Sequence, residues 1–114
     1  MPPTLQDFKA DLFRALAHPT RIGILELLRE AHSMTVGDLQ QALRIGAATT
    51  SQHLAVLRSH GLVVARREGT SVWYGVSDPE LYALLDAARA LFEKQLQVQM
   101  QTLEDAGIAE RGKQ

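Results

Sequence analysis

Apolar residues recur at intervals of three and four through the first part of the chain, which is the period of amphipathic α-helices. One such series starts at Leu5, so residues 4–17 are predicted to form a helix with Thr4 as its N-cap. A second helix is predicted to begin at Pro19, because proline is favoured at the first helical position. Its inward-facing residues are expected to be Ile22, Leu25 and Leu28.

Two more helices are predicted, separated by a short turn at residues 44–46. Thr35 and Asp38 have the spacing of a capping box, which indicates the start of a short third helix. The fourth helix is predicted over residues 47–60, and Gly61 is expected to end it in the left-handed conformation. The inward-facing residues of this helix are expected to be Thr50, Leu54 and Leu57. Two helices joined by a tight turn form a helix-turn-helix, whose second helix can enter the DNA major groove.

The hydrophobic period changes from helical to alternating after the fourth helix. Residues 62–64 and 72–76 are rich in β-branched and aromatic side chains, so they are predicted to form two short strands. Residues 66–70 lie between them as a basic turn that contains glycine. A β-hairpin is therefore predicted directly after the helix-turn-helix.

The last predicted helix carries apolar residues on more than one face. Asp78 is expected to cap it and Pro79 to begin it, and its pattern continues to about Glu104. One apolar face can cover the rest of the domain, while the other would be an aggregation hazard unless a partner covers it. A dimer is therefore predicted. Residues 107–114 are expected to form a polar, flexible tail.

The composition limits the classes of protein to which the chain can belong. Its 114 residues, 46% of them hydrophobic, fit one domain, which we place at residues 1–106. The sequence contains no cysteine, which excludes disulfides, thiolate metal sites and thiol redox sensing. No apolar run approaches the ~18 residues of a membrane span, and the N-terminus lacks the order of a signal peptide, so a cytoplasmic location is expected.

The net charge of −1 conceals an uneven distribution of charge along the chain. No aspartate or glutamate occurs from Leu39 to Arg67, whereas acidic residues predominate from Asp78 to Glu110. The basic and titratable residues of the acid-free segment are Arg44, His53, Arg58, His60, Arg66 and Arg67. A basic segment on an acidic body is typical of a domain that meets phosphates with one surface. Two ordinary solvated faces would give the same charge pattern.

The exposed face of the fourth helix carries side chains that can read DNA bases. The 3.6-residue period turns Ala48, Thr49, Gln52, His53 and Val56 outward and leaves Ser51 near the boundary. Glutamine can form a bidentate pair with adenine, and threonine or alanine can contact a thymine methyl group. Polar residues on an exposed helix face need no function, so the helix pair, the acid-free segment and the basic hairpin carry this interpretation together.

Residues from about Leu12 to Asp86 resemble the ArsR/SmtB-type family of winged helix-turn-helix regulators. LFRALAHPTRIGILELL resembles the opening helices of the family, TTSQHLAVLRSHGLV its recognition helix, and RREGTSVWYGV its wing. The resemblance implies a mainly α fold with a small β-hairpin (α+β), in which five helices and a two-stranded wing form each subunit of a homodimer. It also implies sequence-specific binding to an inverted-repeat DNA operator, with repression as the family default and activation as the other option.

The resemblance assigns roles to individual positions. The positions that it places against DNA are Ala47, Ala48, Thr49, Ser51, Gln52 and His53 on the fourth helix, and Arg66, Arg67 and Thr70 on the wing. The positions that it places in the dimer interface, through the first and last helices, are Leu5, Phe8, Leu81, Leu85, Ala88, Phe92 and Leu96. Family members often carry arginine at the position of Gln52, and this departure suggests weaker phosphate attraction and a different operator.

Many members of the family respond to a metal, but this chain departs from their best-known sites. The Cys-x-Cys positions of the third helix hold Thr35 and Gly37, which supply no soft ligand. The site on the last helix keeps Asp78 but offers Glu80, Leu91 and Lys94 for its other ligands. A nickel- or zinc-responsive regulator remains an alternative, and it would draw on His18, His32, His53, His60 and nearby carboxylates. Each of these histidines also has an ordinary structural interpretation, so the metal remains unassigned.

Two other classes of function remain as alternatives. Winged-helix folds also serve as protein-interaction modules, and the leucine-rich last helix could bind an unlike partner. The absence of acids across the recognition helix and wing argues against that class, and a test on random DNA would separate the two. An enzyme is disfavoured, because the sequence shows no Ser-His-Asp order, no phosphate-binding glycine loop and no nucleophilic cysteine.

Overall fold

The computed structural model describes residues 1–112, and the side chains up to residue 107. The first unit is Met1–Pro79, and the last helix forms a second unit. Five helices and three strands follow one another as α1 (Leu5–Leu16), α2 (Pro19–Ala31), β1 (Met34–Thr35), α3 (Val36–Leu43), α4 (Ala47–Ser59), β2 (Val63–Glu68), β3 (Ser71–Val76) and α5 (Glu80–Gly112). The predicted winged helix-turn-helix fold is confirmed, with one strand more than expected.

The helix boundaries follow from local hydrogen bonds that the sequence predicted. Thr4 and Asp7 exchange hydrogen bonds of 2.9 and 3.1 Å as a capping box at the start of α1. Thr35 and Asp38 do the same at the start of α3. At the end of α4, Gly61 has φ +71°, and the N–H of Leu62 donates to the carbonyl of Leu57. This pattern is a Schellman motif, so the predicted stop at Gly61 is confirmed.

The core of the first unit is mostly leucine and is contributed by α2, α3, α4 and β2. The fully buried large side chains are Ile24, Leu25, Leu28, Leu39, Leu54, Leu57, Val63 and Thr50. The sequence pattern predicted Ile22 as an inward residue, but Ile22 is only half-buried and Ile24 is buried instead. The reason is that α2 packs against α1, α3, α4 and β3, so more than one of its faces is covered.

The sheet has three strands in the order β1-β3-β2, all antiparallel. The two-residue strand β1 was not predicted, because a strand of that length has no alternating pattern to recognise. The chain enters β1 through a tight turn in which the N–H of Ser33 donates to the carbonyl of Ala31 at 2.8 Å. His32, at the centre of this turn, has φ +68° and ψ −45°. These are the features of a strained γ-turn.

The hairpin is longer than the sequence predicted. A two-residue loop, Gly69–Thr70, joins β2 and β3, and Gly69 adopts φ +61° as the first residue of this loop. Arg66 and Arg67, which were expected in the turn, lie in β2 instead. Their cross-strand partners are Trp73 and Val72, whose high strand propensity extends the ladder of hydrogen bonds toward the tip.

The last helix, α5, is 33 residues long, which corresponds to ~50 Å at 1.5 Å per residue. It continues to Gly112, beyond the end predicted at about Glu104, because the residues after Gly107 are mostly good helix formers. The flexibility expected for residues 107–114 stays a prediction, and Lys113 and Gln114 lie outside the described residues. Within the described part of the chain, no helix is long and apolar enough to cross a membrane.

Candidate nucleic-acid interface

Helices α3 and α4 form the predicted helix-turn-helix, and one strained residue makes their turn tight. Arg44 caps α3 in the left-handed conformation with φ +56°, and its N–H donates to the carbonyl of Gln40. Gly46 is the N-cap of α4. The hydroxyl of the buried Thr50 donates to the carbonyl of Gly46 at 2.8 Å, so this buried polar group is satisfied within the first turn of α4.

Helix α4 turns its predicted DNA-reading residues to solvent, with one exception. Thr50, Leu54 and Leu57 are buried, as predicted. The exposed residues of its first half are Ala47, Ala48, Thr49, Ser51 and Gln52. His53 is half-buried, because its ring packs against the ring of His18. Val56, which was also predicted to face outward, is half-buried as well. The centroids of the two rings lie 4.4 Å apart, with the planes at 49°.

The packing of His53 also lowers its pKa. Partial burial lowers the pKa of His53, and the nearby His18 and Arg21 lower that pKa further. Arg21 is held in place, since its Nε donates to the carbonyl of Ala15 at 2.6 Å and its Nη2 to that of Arg14 at 3.2 Å. His18 is the N-cap of α2, as its position before Pro19 predicted.

The opposite flank of α4 faces the hairpin across an open groove of about 450 Å³. Ser51 and Arg58 line the groove from α4, and Tyr74 lines it from β3. Sequence reasoning counted Arg58 in the acid-free segment but gave it no role. The missing signal was the position of Tyr74 across the groove from α4, because β3 is separated from α4 in sequence by the whole of β2.

The two arginines of the wing lie on opposite faces of the hairpin. Successive side chains of a strand point to opposite faces of the sheet. Arg67 therefore lies on the same face as Ala65, whose cross-strand partner is Tyr74. That face is the one that meets α4. Arg66 is on the other face, where its guanidinium lies 3.2 Å from the carboxylate of Glu68. Thr70 is exposed in the loop at the tip.

Three arginines of the acid-free segment have no ion pair among the described residues. They are Arg44, Arg58 and Arg67, and all three are exposed. The turn, the end of α4 and the wing each contribute one of them. Positive charge without a nearby carboxylate is suited to the phosphates of a nucleic acid.

The residues predicted for the dimer interface differ in exposure. On α1, Leu5 and Phe8 are each 65% exposed. On α5, Ala88, Phe92 and Leu96 are exposed, Leu85 is half-buried, and Leu81 is only 8% exposed and so has little surface to offer a partner. Further apolar side chains are exposed on the same two helices but are missing from the predicted interface set, which includes no residue after Phe8 on α1 or after Leu96 on α5. They are Phe13 on α1, and Val98, Met100 and Leu103 on α5.

The structure does not gather the histidines named as possible metal ligands into one site. Among the described residues, no group of three or more histidine, aspartate or glutamate side chains could hold a metal ion. Among the four histidines, all of which lie in the described part of the chain, only His18 and His53 have rings in contact. His32 and His60 are the C-cap residues of α2 and α4.

Comparison with known proteins identifies the family. Residues 18–64, from the N-cap of α2 into β2, match the model of the bacterial regulatory proteins of the arsR family. The HTH-type transcriptional regulator Rv0081 of Mycobacterium tuberculosis is 40% identical over 102 residues, which cover 89% of each chain. The chain belongs to the ArsR family. It is therefore a DNA-binding transcriptional regulator of the ArsR/SmtB type.

The similarity extends to other regulators and to solved structures. The transcriptional activator HlyU of Vibrio cholerae is 36% identical over 81 residues, covering 71% of this chain and 74% of HlyU. The crystal structure of Rv0081 matches with a TM-score of 0.78 at 38% identity, over 87% of this chain and 99% of that one. A homodimeric winged helix-turn-helix DNA-binding domain from Mycobacterium bovis, solved by NMR, matches with a TM-score of 0.74 at 33% identity. The match covers 81% of this chain and 84% of that one.

Proposed function

We propose that this ArsR-family protein binds an inverted-repeat DNA operator as a homodimer, with α4 in the major groove and the hairpin on the phosphate backbone, and that it represses transcription. The observation that carries the proposal is the exposed polar row on the first half of α4, beside arginines that have no acidic partner among the described residues. That combination provides both base-edge readout and phosphate contact on one surface.

The recognition surface on α4 is small and bears no formal charge. Gln52 is its largest side chain, and Thr49 and Ser51 lie beside it with hydroxyl groups that can donate and accept. Ala47 and Ala48 at the start of the helix allow the backbone to approach the bases closely. We infer that Gln52 reads an adenine and that the neighbouring methyl groups contact thymine, which favours an A·T-containing half-site.

Phosphate contacts on either side of α4 would hold the helix in register. In sequence, Arg44 in the turn precedes the recognition surface and Arg67 on the wing follows it. Both residues are exposed. His53, which is half-buried against His18, contributes less surface to this interface than its neighbours. Thr70 at the tip of the wing has a hydroxyl group that can donate to a backbone phosphate.

The inverted repeat follows from the symmetry of a dimer. A two-fold axis places two copies of α4 about 34 to 36 Å apart, one turn of B-DNA, so each copy reads one half-site in opposite orientation. The similar domain from M. bovis is described as homodimeric, and α1 and α5 each have exposed apolar residues that are suited to such an interface.

Repression is the simpler direction of regulation, since a dimer that covers about one turn of DNA on each side can exclude the polymerase. The relative HlyU is named as an activator. The position of the operator relative to the promoter therefore decides whether binding represses or activates transcription. A protein-interaction module, the alternative from another class, would leave the unpaired arginines of the acid-free segment without a role.

Selection of bound duplexes from a random DNA pool tests the proposal. The expected result is an enriched inverted repeat whose half-sites lie about one helical turn apart. The selection is repeated with a chelator and with nickel, zinc or cobalt ions, because a metal-responsive regulator would change the enrichment. Recovery of unenriched DNA under every condition would overturn the proposal and favour the interaction module.

A further inference from the structure

The N-cap of α2 is a histidine, and its ring lies against the recognition helix. Nδ1 of His18 accepts a hydrogen bond from the N–H of Thr20 at 3.1 Å. The same ring packs on His53 of α4 at a centroid distance of 4.4 Å. The start of α2 and the side of α4 are therefore in contact through two imidazole rings.

The capping role of His18 requires a neutral ring. Nδ1 can accept the N–H of Thr20 only while it carries a lone pair, and an imidazolium has N–H donors on both nitrogens. Proton uptake at His18 would therefore turn a donor toward the N–H groups of α2. It would also place positive charge at the positive end of the helix dipole.

Among the described residues, no carboxylate acts on the pKa of His53. The charged or titratable groups that act on His53 are His18 and Arg21, both from the α2 side, and each is or becomes positive. Arg21 cannot swing away without losing its hydrogen bonds to the carbonyls of Ala15 and Arg14. On α3, the one ionisable side chain is Asp38, which is held in its capping box.

The position of His53 on α4 connects this contact to DNA reading. His53 directly follows Gln52 and lies one helical turn after Thr49, so movement of its ring away from α2 would rotate both residues. We propose that the His18–His53 contact positions the recognition helix, and that proton uptake by this pair weakens operator-specific binding. The proposal rests on the function proposed above for α4.

The expected direction with pH follows from the lowered pKa of His53. Because that pKa is lower in the folded protein than in the unfolded chain, the unfolded chain binds protons more readily. The stability contributed by the neutral ring is complete above about pH 6.5 and is lost as the pH falls through the lower, folded pKa. DNA phosphates favour proton uptake near operator and random DNA alike, so the ratio of the two affinities isolates the effect on positioning.

The experiment measures fluorescence anisotropy of the full-length protein with the selected operator duplex and with a random duplex, from pH 7.5 to 5.5. Ionic strength is constant, and a chelator is present to exclude metal binding. For the unmodified protein, the ratio of operator to random affinity is expected to fall on the order of tenfold. In His18→Asn, which keeps an N-cap side chain but removes one of the two imidazoles, the ratio is expected to fall less than in the unmodified protein, because only His53 beside Arg21 is left to respond.

His60→Asn is the matched control. His60 lies at the end of the same helix, its Nδ1 is 2.9 Å from the carbonyl of Val56, and it has no ring contact with another histidine among the described residues. This variant is expected to keep the pH dependence of the unmodified protein. An unchanged ratio in the unmodified protein, or an equal fall in His18→Asn, would overturn the proposal.

Thermal unfolding of the free protein separates this proposal from the proposed function. The unfolding midpoint of the unmodified protein and of His60→Asn is expected to drop more steeply below pH 6.5 than that of His18→Asn. Parallel curves for all three would exclude the pair as a proton-sensitive contact, whatever the DNA result. If the unfolding midpoint of His18→Asn depends on pH less than that of the other two proteins but none of them binds DNA, the proposed function would be overturned. The contact between His18 and His53 would then contribute to stability alone.

Discussion

Two residues of α4 only two positions apart have opposite environments. Thr50 is fully buried, and its hydroxyl is satisfied by the carbonyl of Gly46. Gln52 is exposed and has no hydrogen-bond partner of its side chain among the described residues. A buried polar group with a satisfied hydrogen bond serves stability, whereas an exposed polar group on a recognition helix is available to a ligand.

Replacing Gln52 with alanine is expected to relax base preference at one position of each half-site. The loss of a bidentate pair costs about 1 to 3 kcal/mol at that position and leaves the affinity for random DNA nearly unchanged. Competition binding with operators altered at single positions measures this effect. Gln101→Ala, an exposed glutamine on α5, is the control. An equal loss on all sequences would mean that Gln52 positions the helix rather than reads a base.

At the scale of elements, the hairpin separates two arginines that are adjacent in sequence. Arg67→Ala is expected to weaken operator and random DNA alike and to reduce the salt dependence by about one unit, because one phosphate contact is lost. Arg66→Ala is expected to have a smaller effect, since Arg66 is on the other face and is paired with Glu68. Glu68→Gln should strengthen binding to random DNA. Equal salt slopes for both arginine variants would show that the two faces are equivalent.

The γ-turn between α2 and β1 stores strain that glycine would relieve. His32 has φ +68°, which is unfavourable for a residue with a side chain, so His32→Gly is expected to raise the free energy of unfolding by about 1 kcal/mol. Glu30→Gly, at an exposed helical position, is expected to lower the free energy of unfolding by about 1 kcal/mol. Urea denaturation compares the two variants. A loss of stability in both would mean that the side chain of His32 makes a contribution larger than the strain.

The features that the sequence predicted are local, and those that it missed depend on distant contacts. Thr4, Thr35 and Gly61 define helix ends through bonds to residues within five positions, so their patterns are visible in the sequence. Strand β1 exists only through its pairing with β3, some forty residues later. The contact between His18 and His53 likewise joins residues from separate elements, and no local pattern indicates it. Of the candidate site, sequence reasoning therefore placed the exposed face of α4 well and the burial of His53 poorly.

At the scale of the whole molecule, the exposed apolar residues of α1 and α5 require a partner. On α5, Phe92 is 59% exposed and Leu96 is 42% exposed, and the series continues through Met100 to Leu103. At about 100° per residue, Phe92, Leu96 and Leu103 share one face of the helix, which is the arrangement of an association surface rather than of scattered exposure.

Phe92→Glu is therefore expected to abolish the dimer and operator binding together, because it places a charge in the centre of that face. Phe92 is a cleaner choice than Leu85, whose half-buried side chain could disturb folding when replaced. Lys94→Glu introduces the same carboxylate about 200° around the helix and should leave both properties intact. Light scattering measures the mass at micromolar concentration, and anisotropy measures binding to one and two half-sites. A stable monomer of the unmodified protein that binds a single half-site tightly would contradict the predicted dimer. An intact dimer of Phe92→Glu would show that the interface does not include this face of α5.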